Sequence, residues 1–173
     1  MRRAAELVLA CAVLWACQTI APQLPAALVP LPHLADCPGP LRSTSDIEGD
    51  WVVHERIRVM GDRVDESFGL VLQKSGPKLV LVGLTPFGAK AFGVTQIGVQ
   101  TWAQSFLGPA LAVPPENVLR DVHRAHFLTS EEGEPDARQV KRDPDGVVHI
   151  DAPTCGYQST LAPISAVLPQ STP

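Results

Sequence analysis

From Asp50 onward the sequence breaks into short apolar runs separated by turn residues, and this spacing restricts the chain to an antiparallel β architecture. Trp51 to Met60 reads as a strand, with Val53, Glu55, Ile57 and Val59 on one face and Gly61-Asp62 at its end. Ser67 to Lys74 is a second strand, closed by Ser75-Gly76-Pro77. Lys78 to Leu84 is a third, followed by the turn Thr85-Pro86-Phe87-Gly88. Lys90 to Gln96 and Val99 to Phe106 give a fourth and a fifth. Parallel neighbours would need crossovers of a dozen or more residues, which these gaps do not contain.

One helix is expected after Pro114-Pro115. Glu116 and Asp121 lie early in it, where the positive end of the helix favours them. Val118, Leu119, Val122, Ala125 and His126 recur at helical spacing as its apolar stripe, extended by Phe127. Ser130 to Asp136 is a polar loop. Arg138 to Lys141 and Val147 to Asp151 then form a hairpin across Asp143-Pro144-Asp145-Gly146, and Cys155 to Leu161 makes a final strand. The expected fold is mainly β with a helical lid: a curved antiparallel sheet or unclosed β-barrel.

The N-terminal part has a different character. Met1-Arg2-Arg3 is followed by an apolar stretch of about a dozen residues, too short for the ~20 that span a bilayer. Leu14-Trp15-Ala16-Cys17 has the features of a lipoprotein signal: an apolar residue three before the cysteine and a small one just before it. Cleavage there removes residues 1–16 and acylates Cys17. Val8-Leu9-Ala10-Cys11 is a competing site with a shorter apolar core, and simple secretion or an uncleaved anchor are further alternatives. Between Ala21 and Pro40 stand Pro22, Pro25, Pro30, Pro32, Pro38 and Pro40, with little charge. This composition excludes a regular helix and reads as a semi-extended tether over residues 17–40, its leucines being free to lie across an apolar groove instead. A single domain over 41–162 and a loose tail over 163–173 complete the organisation. With Cys11 discarded and Cys17 acylated, Cys37 and Cys155 remain in an oxidising compartment, either as a disulfide or as two buried thiols.

Function classes narrow on the same residues. The balance is 14 basic against 18 acidic, net −4, which does not suit nucleic-acid binding. No nucleophile elbow, zinc-protease, P-loop or dinucleotide signature occurs. His123 and His126 are spaced to share a helix face but lack a third ligand. His54 and Glu55 point to opposite faces of a strand, and Ser67, Ser105 and Ser159 have no visible His/Asp partners. Neither an enzyme nor a cofactor or metal is therefore expected.

Two stretches, Leu79 to Gly98 (LVLVGLTPFGAKAFGVTQIG) and Pro114 to Phe127 (PPENVLRDVHRAHF), together with Cys17, resemble a family of Gram-negative lipoproteins of unknown function sometimes found beside aryl-polyene pigment genes. The shared pattern is an apolar strand, a Ser/Thr-Pro-x-Gly turn, a Phe-containing strand ending in Gly, and a proline followed by a Leu-x-Asp helix. Ile97-Gly98 and His123 depart from it, since an Asp-Gly type of turn and a glutamine are commoner there. That family is similar in fold to the periplasmic lipoprotein carrier and its outer-membrane receptor, which hold acyl chains in an apolar cavity under a helical lid. The resemblance implies a lipid-anchored protein on the periplasmic face of the outer membrane. It would bind or transfer an acyl lipid or polyene-like ligand, and it names no catalytic residue. Gln18, in place of an aspartate after Cys17, agrees with outer-membrane sorting.

Trp51, Phe68, Leu81, Phe87, Phe92, Trp102 and Phe106 are the candidate groove residues, with plain core packing as the alternative for each. A carrier should show a continuous apolar cavity on the order of several hundred Å³ beneath the helix. An accessory lipoprotein that docks an envelope protein should show an exposed apolar patch instead.

Overall fold

The computed structural model describes residues 32–129 and 138–164. Eight strands form one antiparallel sheet: β1 (Trp51–Gly61), β2 (Val64–Ser75), β3 (Lys78–Leu84), β4 (Lys90–Ile97), β5 (Gln100–Ser105), β6 (Gln139–Arg142), β7 (Val148–Ala152) and β8 (Tyr157–Pro163). Their spatial order is β5-β4-β3-β2-β1-β8-β7-β6, so β5 and β6 are free edges and the sheet is not closed into a barrel. The single helix of the expected type, α1 (Pro115–His126), lies against β4 and β5 at one end and β7 and β8 at the other. A helix that touches both ends of an eight-stranded sheet requires the sheet to curl around it.

Period-2 alternation decides which residues enter the core. On the concave face β1 places Glu55, Ile57 and Val59, β2 places Phe68, Leu70 and Leu72, β3 places Leu79 and Leu81, and β4 places Phe92, Val94 and Gln96, all buried. Val118, Leu119, Val122 and Ala125 of α1 complete one cluster with them and with Ile150 and Leu161. Gly83 is required where it stands. A Cβ there would lie 2.2 Å from the ring of Phe92, which faces it across the β3–β4 pair. The absent side chain lets Phe92 lie flat and meet Phe68 edge-on at 5.2 Å.

α1 is buried on more than its apolar stripe. Asn117, Asp121, His123 and Arg124 are buried too, whereas His126, expected in the stripe, is exposed. Asp121 and Arg124 meet Arg138, while Asn117 and His123 meet the segment from residue 32 to 47, which lies against α1 beside the sheet. Cys37 N–H donates to Asn117 Oδ1 at 2.8 Å, and Asn117 Nδ2 donates to the Ala35 carbonyl at 2.9 Å. Leu34 and Cys37 are buried, and Cys37 forms a disulfide with Cys155 across 118 residues, with Cα atoms 5.7 Å apart. The expected tether therefore gives way at its C-terminal end: His33 to Pro40 belongs to the packed domain. The N-terminal signal, Cys17 and the start of the tether lie outside the described residues.

His123 joins the same segment to the sheet. Its Nδ1 accepts from Arg42 N–H at 3.0 Å, and its Nε2–H donates to Gln96 Oε1 at 2.7 Å. The Gln96 amide nitrogen donates on to the Arg42 and Gly98 carbonyls. This pattern needs a neutral imidazole, because protonation would set an Nδ1–H against the Arg42 amide. Burial, followed by the charges of Arg42 and His126, pushes the His123 pKa down to about 4. A depressed histidine pKa contributes stability that is complete above the unfolded value of 6.5 and is lost as pH falls through 4, about 3 kcal/mol in all. Urea titrations of wild type and H123Q between pH 7.5 and 4 test this. Glutamine keeps an acceptor and a donor but does not titrate, so the stability difference between the two proteins should shift by about that amount across the window. A pH-independent difference would refute the assignment.

Candidate functional site

The concave face is not filled along its whole length. Where β1 starts and α1 ends, Trp51, Val53, Leu72, His126 and Phe127 surround a recess of about 180 Å³. Val53 is 39% exposed although it shares a face with buried Ile57 and Val59. The Trp51 and Phe127 rings face each other with centroids 6.0 Å apart, and Phe127 also packs edge-on to His123. One buried carboxylate stands two residues along β1 from Val53: Glu55 lies on the same face, and both its oxygens approach His126 Nε2, at 3.0 and 3.1 Å. The recess is thus apolar on its walls, with the Glu55–His126 hydrogen bond as its polar limit.

The remaining candidate groove residues do not meet there. Phe68, Leu81 and Phe92 are fully packed core, as the alternative reading of each allowed. Phe87 is 98% exposed at the tip of the Thr85–Ala89 turn, in which Gly88 takes φ +81°. Trp102 and Phe106 are exposed on the convex face. A single groove lined by all seven does not form, because strand parity and turn position send them to four different places. The cavity of several hundred Å³ beneath the helix is likewise replaced by packed side chains, leaving the smaller recess at one end.

Larger clefts lie on the convex face. One of about 450 Å³ runs over β6, β7, β8 and β1, lined by Met60, Lys141, His149, Asp151, Gln158 and Thr160 among others. In it His149 Nε2 is 2.9 Å from Asp143 and Nδ1 is 3.4 Å from Thr160 Oγ1. This carboxylate–imidazole–hydroxyl line lacks a catalytic setting. Thr160 sits mid-strand between β1 and β7, so neighbouring amides serve the sheet and cannot form an oxyanion hole. His149 holds its Asp143 carboxyl below the usual carboxylate range, as an exposed hairpin ion pair does.

His123 and His126 diverge, one into the core and the other to Glu55, so they share no ligand. Among the described residues no cluster of three or more His, Cys, Asp or Glu side chains could hold a metal, and no helix is long and apolar enough to cross a membrane.

The sheet and helix that build this recess coincide with a known sequence unit. The model of a family described as protein of unknown function (DUF3261) matches residues 54–165. The chain belongs to that family. The DUF3261 match runs from His54, the fourth residue of β1, past the end of β8, so it takes in Glu55, Leu72, His126 and Phe127 but not Trp51, Val53 or Cys37. No curated protein and no solved structure matches the chain.

Glu55 and His126 form a contact beside the recess that periodicity alone did not mark. The signal for Glu55 was present: a carboxylate on the apolar face of an otherwise regular strand implies a buried partner. Its identity, 71 residues away on α1, was not readable.

Proposed function

We propose that this protein is a non-catalytic envelope lipoprotein, anchored through acylated Cys17 at the outer membrane, that holds the end of an apolar, acyl-type ligand in the Trp51–Phe127 recess. The observation that carries the reading is an apolar recess left open on the concave face of a DUF3261 sheet whose remainder is packed. Burial of methylenes there stabilises binding by ~25 cal/mol per Å² removed from water. The recess is below the roughly 300–1,000 Å³ that encloses a drug-sized ligand. It therefore suits the terminal part of a chain, with the rest of the ligand outside. The lipoprotein signal ending at Cys17 supports the address, and the short basic and apolar start supports export.

Native mass spectrometry of the protein extracted from its membrane in mild detergents tests both halves of the proposal. The expected species begins at an acylated Cys17 and carries a co-bound apolar molecule, which W51E loses while keeping its acylation. Only empty wild-type protein in every detergent would remove the ligand reading. An intact N-terminus without acylation would remove the anchor.

A further inference from the structure

The two free edges of the sheet differ in kind. β6 is four residues long and carries Lys141 and Arg142, charges that discourage strand pairing. β5 has the sequence Gln-Thr-Trp-Ala-Gln-Ser, with no charge, no proline and an unbroken register against β4. Every residue from Trp102 to Ala110 is exposed, including Ala103, which faces the helix side of the sheet. Phe106 N–H donates to the Ala91 carbonyl, so the amides of residues 104 and 102 also point at β4. Those of Thr101, Ala103 and Ser105 then point away from the sheet, and among the described residues no backbone hydrogen bond outside the sheet reaches them. An uncovered neutral edge of this kind is a pairing template.

We propose that β5 docks a second copy of this chain, antiparallel about a two-fold axis at Ala103. The sequence is self-compatible in that register. Ala103 opposes Ala103 of the copy, and Thr101 opposes Ser105, a small hydroxyl pair of the kind that stabilises neighbouring strands. Each of these facing pairs exchanges two backbone hydrogen bonds. On the convex face Trp102 opposes Gln104, and the two Trp102 rings become diagonal neighbours within reach of each other. The 54% exposure of Trp102 and the 49% exposure of Phe106 are thereby reduced by contact with the copy. No like charges face across the axis, whereas a two-fold axis at Lys141 of β6 would set the two Lys141 ammonium groups against each other. An isologous contact of this type closes at a dimer.

Cysteine cross-linking of the full chain in its own membrane tests the register. Facing Cα atoms in a hydrogen-bonded antiparallel pair lie about 5.5 Å apart, inside the 4.4–6.8 Å that a disulfide spans. A103C should give a disulfide-linked dimer on non-reducing gels. T101C is offset from its copy by four residues, roughly 13 Å, and should give at least tenfold less. Sedimentation of the detergent-solubilised wild type should report twice the chain mass, and W102K, which sets two ammonium groups beside the axis, should report one. A103C cross-linking no better than T101C, a dimer that W102K leaves intact, or A103C captured only by a different protein would each overturn the assignment.

Discussion

Replacing both Cys37 and Cys155 with alanine is expected to lower the free energy of unfolding by about 5 kcal/mol, the chain-entropy value for a loop of this length. The two residues are separated by 118 positions and sit at opposite ends of the domain. Typical domains are stable by only about 5–15 kcal/mol in total, so the variant should be marginal near 37 °C. The loss has a location as well as a size. Cys37 stands on the segment that covers α1, and the neighbouring contacts are polar: Cys37 N–H to Asn117, Asn117 to the Ala35 carbonyl, and Arg120 to Asp36 at 2.7 Å. Once the cross-link is gone, residues 33–42 are held by these contacts, by buried Leu34 and by the hydrogen bonds that tie Arg42 to His123 and Arg138 to the Cys37 and Pro38 carbonyls. Amide exchange at Cys37 and Arg42 should accelerate before exchange in β1 to β4. Reductant should reproduce the urea-midpoint shift in the wild type and leave the double variant unmoved. A shift below about 1 kcal/mol would show that the reduced chain keeps the same ends together without the bond.

Much of this architecture is legible in local sequence. β3 is read to the residue because Ser75-Gly76-Pro77 and Thr85-Pro86-Phe87-Gly88 stop it on both sides, and α1 starts at Pro115, whose fixed φ suits the first helical position. Alternation assigns Ile57 and Val59 to the core without any structure. Beyond neighbours in sequence the reading fails in a consistent way. Phe92, Phe87 and Trp102 are equally aromatic, but one packs over Gly83, one caps a turn and one faces outward from an edge strand. Only the register between strands and the curl of the sheet separate these fates. Residues 32–40 of the proline-rich stretch hold no helix, yet composition could not show that Cys37 pins its end to the domain.

The polar side of α1 was illegible for the same reason. Asp121, Arg124 and His123 are buried through partners far off in sequence: His123 meets Arg42 and Gln96, Asp121 meets Arg138 and Tyr157, and Arg124 meets the Arg138 carbonyl. Arg124 donates to the Thr129 and Arg138 carbonyls, so it ties the residues just after the helix to the start of β6. The recess at Trp51 and Phe127 joins the start of β1 to the end of α1, a contact between residues 76 positions apart that no local pattern announces.

Arg138 is the residue whose loss should be felt most widely after the disulfide. Its guanidinium is buried and donates from Nε to Asp121 Oδ1 at 3.2 Å, from Nη1 to the Pro38 carbonyl at 3.2 Å, and from Nη2 to the Cys37 carbonyl at 3.2 Å and Tyr157 Oη at 3.3 Å. Tyr157 in turn donates to Asp121 Oδ1 at 3.0 Å. One side chain thus joins the covering segment, α1 and β8. R138M keeps the apolar stem but strands the carboxylate, and removing one member of such a buried pair costs about 3–5 kcal/mol. The cost has a pH signature. Burial already pushes the Asp121 carboxyl up to about 6, against the downward pull of Arg138 and of the hydrogen bond from Tyr157. A raised carboxyl pKa contributes stability that is complete below the unfolded value of 3.8 and is lost as pH rises through the folded value. Without Arg138 the folded value moves higher still, so R138M should be more damaged at pH 8 than at pH 5. Adding D121N removes the stranded charge and should recover most of the loss at pH 8 but little at pH 5. Urea midpoints of the two variants at both pH values decide the point. An R138M deficit that is the same at pH 5 and pH 8, or one that D121N fails to relieve, would mean that the arginine acts through its carbonyl contacts to Cys37 and Pro38 and not through the carboxylate.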